Sequence, residues 1–496
     1  MRRYYFGIMF IIIGLFCLAG VKPAQAFTGY ELGVTDSKEY REVVFLGGSP
    51  SVFTGTVKET TKTKGDIVQT SLTYKMEDPT SKGKLSRTAR LESKITRSGT
   101  QEVYETTLTG LTETIKVSDA SLKLNKDDLF FSASKIVDHR SVIDFYTENW
   151  HFKKVYEAGK SGTGGLLVYE AWGTREGYDS AWGKGSTANV TAQVTSLPNA
   201  TGSADWEGTI EAAMVDSVSR GLTYAQSKTS LKSFGGTYTD QSVTEEALRI
   251  NYDFPSSISP KVVQDFRNRG TLPISMKSPP TKKMLFAKDF RDVRGHWAQK
   301  DIEIVCGLGA FNCKGNLFGP GNAATRRDIA QALSAVCNLV KTDQTKTTSS
   351  KKAVVEEPYF VDIGPSDPDF KAIQENYRRG IMQGTSESLF RPNKTVTRAE
   401  AATVLINALG LSRLAPQPEY KTVFYDDQEI PFWAKDSVYV VAELGLMEGD
   451  GGFFRPNDKM SRAELACLLN NFRTYLNEGF KKDYAEHGYA FSPSAN

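Results

Sequence analysis

Histidine and cysteine are scarce in this chain of 496 residues, with four and five copies. That leaves little room for a His/Cys metal site, and no cofactor is expected. An excess of charge of one sign is missing too: Lys+Arg number 61 and Asp+Glu 58. Three of the cations, Arg2, Arg3 and Lys22, lie in the first 26 residues, which hold no acid. Beyond them the two signs balance, which argues against the broad basic field of a nucleic-acid binder. No apolar run after residue 26 is long enough to span a bilayer. Gly-x-Ser-x-Gly, His-Glu-x-x-His and phosphate-loop patterns are absent as well. What remains, 40% hydrophobic and 24% charged, is an ordinary folded composition. At roughly 100–200 residues per domain, two to four units are expected.

Residues 1–26 read as a signal peptide, with a basic start at Arg2 and Arg3 and an apolar run from Phe6 to Val21. Ala24-Gln25-Ala26 then supplies a small-x-small cleavage site. Gly7, Gly14 and Gly20 interrupt the run, which is shorter than the roughly 20 residues a membrane anchor needs. The remainder is expected outside the cytoplasmic membrane, without a membrane span. Cleavage removes Cys17 and leaves Cys306, Cys313, Cys337 and Cys467, too few for a disulfide scaffold. Cys306 and Cys313 are near enough in sequence for a local bridge. Cys337 and Cys467 sit in apolar helical runs and read as buried small hydrophobes.

Two unlike halves follow. Residues 27–251 alternate apolar and polar side chains rich in Thr, Val, Tyr and Phe, as in Val52–Lys58, Ile67–Met76, Leu85–Ile95, Val103–Leu108, Ile115–Val117 and Leu129–Val137. Period two marks half-buried antiparallel strands. Gly47-Gly48, Lys64-Gly65, Ser98-Gly99 and Gly164-Gly165 punctuate them as turns. An all-β antiparallel meander, barrel or sandwich, is expected. Residues 252–285, with Pro255, Pro260, Pro273, Pro279 and Pro280, read as a linker with one short helix near Val262–Phe266.

Beyond Phe286 one pattern occurs three times. Copies open on Phe290-Arg291-Asp292, Phe360-Val361-Asp362 and Phe424-Tyr425-Asp426, and Trp297 and Trp433 follow in the first and third. An amphipathic helix leads to a turn, Gly380 to Gly384 in copy two and Gly445 to Gly449 in copy three. Then come Phe318-Gly319-Pro320, Phe390-Arg391-Pro392 and Phe454-Arg455-Pro456. Second helices open on Thr325-Arg326-Arg327-Asp328, Thr397-Arg398-Ala399-Glu400 and Ser461-Arg462-Ala463-Glu464. Such internal repetition is the first signal to trust. These motifs resemble the S-layer homology domain in its tandem set of three. The resemblance implies an all-α pseudo-threefold trimer with a central three-helix bundle. It also implies grooves between repeats that bind an anionic secondary cell-wall polysaccharide, often one carrying a pyruvate ketal. The repeats are placed at 286–340, 359–412 and 413–475, with a polar linker at 341–358 and a C-terminal tail at 476–496.

Thr397 with Glu400 and Ser461 with Glu464 have capping-box spacing, which helix initiation explains fully. The arginines do not fit so simply. Arg326, Arg398 and Arg462 each stand at the first helical position, where the macrodipole favours an anion and not a cation. A guanidinium beside free helix N–H groups makes a carboxylate trap, so these three are candidate ligand contacts. The alternative is bracing against the copy's own Asp292, Asp362 or Asp426. Those aspartates could instead turn the chain or bind a sugar hydroxyl. Trp297 and Trp433 offer flat faces for sugar rings or core anchors. Gly384 and Gly449 shape the turn lining each groove. In copy one Cys313 replaces that glycine and costs the turn its positive φ, and copy two has Pro368 in place of tryptophan. A groove lined by Arg462 or Arg398 is therefore expected to bind best.

The leading expectation is a secreted cell-wall protein, held at the surface by its repeats and displaying the strand half, with no catalytic residue singled out. Alternatives are a displayed carbohydrate-active enzyme and a lattice subunit contacting other surface proteins. His139 and His151 carry no motif, and Tyr169, Trp172, Tyr178 and Trp182 read either as a carbohydrate face or as sheet packing.

Overall fold

The computed structural model describes residues 30–45, 48–117, 120–139, 141–158, 165–197, 206–225, 237–256, 267–286, 288–313, 315–340, 357–417 and 419–491. The expected signal peptide, nearly all of the 341–358 linker and the short helix expected at Val262–Phe266 lie outside them.

Strands fill the first half. β1 (Gly33–Thr35), β2 (Tyr40–Phe45), β3 (Pro50–Lys64), β4 (Ile67–Asp78), β5 (Gly83–Ser98), β6 (Gln101–Val117) and β7 (Ala120–Asp138) come first. β8 (Ile143–Ala158), β9 (Leu166–Ser180), β10 (Gly183–Leu197), β11 (Trp206–Ala225), β12 (Thr237–Pro255), β13 (Arg267–Lys277) and β14 (Thr281–Phe286) follow. Sequential neighbours pair from β1 to β13, and β14 returns to β12. The alternation decides which side is inside. In β10, Ala188, Val190, Ala192 and Val194 are buried while Thr187, Asn189, Thr191 and Gln193 face out. The sheet curls until its ends meet through side chains. The Thr35 N–H donates to Glu246 Oε2 at 2.7 Å, and Phe45 stacks on Phe254 at 4.9 Å. The result is a nearly closed antiparallel barrel.

Charge is buried inside it. Arg87 donates to both oxygens of Glu42, at 2.8 and 2.7 Å, and through Nε to Glu113 at 2.8 Å. Lys154 donates to Glu31 at 3.0 Å and Tyr156 to Glu113 at 2.9 Å. Registers Tyr74↔Arg87 and Arg87↔Glu113 put these residues on one inward face. Burial pushes the Glu31 carboxyl up to about 7 against the pull of Arg87 and Lys154. Burial opposes ionisation of Glu113 too, but Arg87 and Lys154 hold it down at about 2.

Of residues 252–285, expected to be a linker, those described are mostly strand instead: the end of β12, then β13 and β14, both paired to β12. The prolines misled because β13 is an edge strand. Pro273 lies opposite Arg249 there, and a missing N–H costs least where no further strand needs it. Pro279 and Pro280 fill the step between β13 and β14, fixed by the Ser278 N–H on Thr244 O at 2.8 Å.

The helices come in pairs: α1 (Gln299–Gly307) and α2 (Arg326–Val336), α3 (Phe370–Arg378) and α4 (Arg398–Leu409), α5 (Lys435–Glu443) and α6 (Arg462–Thr474). Packing crosses the copies, with α2 on α3, α4 on α5, and α6 back on α1. Cys306 and Cys313 form a disulfide between α1 and the following turn, while Cys337 is a buried free thiol and Cys467 a half-buried one. Residues 476–496 were expected to be a tail. A π-helical turn, Tyr475–Gly479, instead carries α6 on into α7 (Phe480–Phe491). The stripe Leu476, Phe480, Tyr484 at helical spacing docks α7 on the barrel, where Tyr178 meets Phe480 at 4.9 Å and Tyr484 at 4.8 Å.

Barrel and repeats share one core, in which Val142, Ile143, Tyr178 and Trp182 pack with the helices. Trp182 is 1% exposed and donates through Nε1 to Val336 O at 2.7 Å. Arg220 and Arg473 lie over its ring at 4.2 and 5.1 Å. Arg379 donates to Ser141 O at 2.7 Å, and the Val142 N–H to Ala408 O at 2.8 Å. Of the four aromatics considered for a carbohydrate face, Tyr178 and Trp182 are therefore packing residues. Tyr169 points to the barrel interior, and Trp172 alone is exposed, stacked on His151 at 5.0 Å. His139 pairs with Asp144 at 2.8 Å and His151 with Glu170 at 2.8 Å.

Candidate functional site

Each second helix starts with a complete capping box: Thr325 with Asp328, Thr397 with Glu400, and Ser461 with Glu464. The acid satisfies the helix start with one oxygen, which leaves the other outside the capping box. The arginine beside it reaches out of its own copy. Arg326 donates through Nε to Phe390 O at 2.8 Å and through Nη2 to Gln383 O. Arg398 repeats this on copy three, with Phe454 O at 2.7 Å and Glu448 O at 2.8 Å. Arg462 turns back to copy one, onto Phe318 O at 3.1 Å. Backbone bonds follow the same circuit: the N–H groups of Arg326, Arg398 and Arg462 donate to Lys394 O, Asp458 O and Asn322 O at 2.9, 3.0 and 2.8 Å. Bracing by the copy's own aspartate, the alternative drawn from sequence, is not what the arginines do.

The aspartates fix the Phe-x-Pro turn instead. Asp292 accepts from the N–H groups of Phe318 and Gly319 at 2.9 and 2.7 Å. Asp362 takes those of Phe390 and Arg391 at 2.9 and 2.7 Å, and Asp426 those of Phe454 and Arg455 at 2.8 and 2.7 Å. The middle residue has a left-handed backbone in every copy, with φ of 72° at Gly319, 55° at Arg391 and 56° at Arg455. Two charge-assisted bonds hold a conformation that is unfavourable for the two arginines. That role was missed in the sequence, although glycine at 319 was the available signal.

Gly384 and Gly449 do not need positive φ; the first turn glycines do, with 81° at Gly309, 71° at Gly380 and 64° at Gly445. A Cβ on Gly384 would meet Phe360 Cε1 at 2.8 Å, and one on Gly449 would meet Phe424 Cε1 at 2.8 Å. Close approach of the opening phenylalanine and of a backbone carbonyl, Ser386 O for Gly384 and Phe453 O at 2.8 Å for Gly449, and not φ, selects the second glycine, so Cys313 costs no backbone strain of that kind.

Trp297 and Trp433 are exposed by 65% and 57%, which removes the core-anchor alternative. Trp297 of copy one, Arg398 of copy two and Leu446, Glu448, Glu464 and Asn471 of copy three line one groove of about 250 Å³. The turn Phe432–Ala434, which carries Trp433, packs on α4 in the corresponding way.

The arginines differ in how far their charge is compensated. Asp328 Oδ1 lies 2.7 Å from Arg462 Nη1, and Glu464 Oε1 lies 4.0 Å from Arg398 Nη1. Glu400 is drawn to Lys394 at 2.8 Å, and Arg326 has no carboxylate within 4.0 Å among the described residues. Burial lowers the guanidinium pKa of Arg326 and Arg398 from the ordinary arginine value, and the carboxylates nearby only partly offset it. A desolvated, incompletely paired cation beside an exposed indole suits an anionic sugar.

The family model described as the S-layer homology domain matches residues 289–330, 359–402 and 423–466. The chain carries three S-layer homology domains. Similar proteins include an amylopullulanase of Thermoanaerobacterium thermosulfurigenes, 26% identical over 37% of this chain and 9% of its own length. S-layer protein EA1 of Bacillus anthracis is 29% identical over 37% of this chain and 20% of its own length. An S-layer protein of Bacillus licheniformis is 27% identical over 37% and 19%. The chain thus spans a fifth or less of these relatives. Its S-layer homology domains make it a cell-surface, S-layer-associated protein. Among the described residues no helix is long and apolar enough to cross a membrane.

Proposed function

We propose that the three S-layer homology domains anchor the chain non-covalently to an anionic, pyruvylated cell-wall polysaccharide. In this reading the domains form a pseudo-threefold trimer around α2, α4 and α6, a reading supported by hydrogen bonds that run from copy one to two, two to three and three to one. The observation that carries the proposal is the groove where the Trp297 face and the Arg398 guanidinium converge. A pyruvate ketal brings a carboxylate to the cation and its sugar ring to the indole. Modest grooves on one chain reinforce each other through effective concentration. The barrel is held outward as the displayed part and performs no chemistry in this reading.

The test is co-sedimentation of the full chain with wall sacculi, before and after mild acid removal of ketal-linked pyruvate. Arg326→Ala/Arg398→Ala should lose at least tenfold in affinity, an arginine–carboxylate contact of roughly 1.5–3 kcal/mol being removed at each groove. Acid-stripped sacculi should bind neither form. Wild-type retention by stripped sacculi, or full retention of the double variant, overturns the proposal.

A further inference from the structure

One of the three seams differs from the others in how its arginine is paired. Between copies three and one, Arg462 Nη1 is met by Asp328 Oδ1 at 2.7 Å, while Asp328 Oδ2 still serves the capping box, accepting from the Thr325 N–H at 2.9 Å. Among the described residues Arg462 has no bond to a turn carbonyl of the kind Arg326 makes to Gln383 and Arg398 to Glu448. The neighbouring residue closes the same seam toward copy two. Arg327 pairs with Asp367 and Asp369, each at 2.7 Å, and these flank Pro368, the residue standing where the other copies have Trp297 and Trp433. At the positions of Arg327 and Asp328 the other copies have alanine and glutamate: Ala399 and Glu400, Ala463 and Glu464. Glutamate keeps its capping bond yet leaves the arginine at 4.0 Å or beyond. Aspartate, one methylene shorter, turns its second oxygen onto the cation.

We infer that this third groove is shut by the protein itself, the Asp328 carboxylate occupying the position on Arg462 that a ligand carboxylate takes in the other two, so that the chain binds two anionic saccharides and not three. The inference rests on the anchor reading and specifies which of its sites are open. An incoming carboxylate at Arg462 meets a cation already neutralised at contact distance and a like charge facing it. The missing indole removes the stacking surface as well. At Arg398 the nearest carboxylate oxygen, of Glu464, stands off at 4.0 Å and the Trp297 indole is in place, and at Arg326 no carboxylate lies within 4.0 Å among the described residues. Arg327 and Asp328 are therefore the residues that set how many sites the chain offers.

Calorimetric titration of the full chain with a monosaccharide bearing a pyruvate ketal tests this. Wild type should bind two per chain. Arg327→Ala/Asp328→Glu gives α2 the same opening as α4 and keeps the capping box, so it should fold normally and bind three, the third more weakly because Pro368 supplies no stacking face. Arg462→Ala should leave the wild-type count at two and return the double variant from three to two. Three sites in wild type, no gain in the double variant, or loss of a site in wild type on Arg462→Ala overturns the inference while leaving the anchor intact. No binding by any form overturns the anchor reading, and the inference with it.

Discussion

The barrel and the repeats both take arginine out of water, but they treat it differently. Arg87 is fully enclosed and meets three carboxylates within 3.6 Å. Arg326 and Arg398 are given backbone carbonyls and a carboxylate no nearer than 4.0 Å. Carbonyls orient a guanidinium without cancelling its charge, whereas a ring of carboxylates leaves nothing for a ligand. In the proposed anchor, incomplete compensation at a seam between copies is what separates a binding cation from a structural one. By that criterion Arg462, paired with Asp328, stands closer to Arg87 than to its own counterparts.

The comparison can be broken most forcefully at Arg87. Arg87→Met leaves Glu42 buried without its cation and Glu113 with Lys154 alone, and should destabilise the chain by roughly 3–5 kcal/mol in denaturant unfolding. Wall binding per folded molecule should not change; a loss of binding without a loss of stability would reverse the distinction. A smaller effect is expected at Asp426. Asp426→Ala strands the N–H groups of Phe454 and Arg455 and should cost about 1–3 kcal/mol. Binding at the Arg398 groove should weaken with it, because Arg398 rests on the Phe454 carbonyl.

The smallest effect is a pH dependence confined to the barrel. Burial raises Glu246 to about 7 from an ordinary value of 4.5. Its folded form holds the proton longer than the unfolded form, so this group makes stability fall as pH rises from about 4.5 to about 7. Glu246→Gln keeps an acceptor for the Thr35 N–H and should raise the melting temperature at pH 8 while leaving it unchanged at pH 4. An equal shift at both pH values would mean that the carboxyl is not protonated in the folded barrel.

The repeats were legible in sequence because their motifs encode local events: a capping box, a Phe-x-Pro turn, a glycine. Alternation likewise announced the strands, although Val103–Leu108 and Ile115–Val117 proved to be parts of one strand, β6. What sequence could not carry was partnership between copies. The spacing of Arg398 suggests a partner in its own repeat, yet the Phe454 carbonyl comes from the next one. Proline density concealed β13 because an edge strand tolerates Pro273. The docking of α7 was hidden for a related reason, since Phe480 and Tyr484 gain meaning only against Tyr178 of a distant strand.

The burial of Trp182 between Arg220 and Arg473 has a mechanical consequence. The clamped indole, its N–H tied to the end of α2, makes the barrel and the repeats continuous through one packed core. If the repeats anchor the chain as proposed, a drag force on the barrel is delivered as torque to the wall contacts, and the molecule stands on its foothold as a post and not as a streamer.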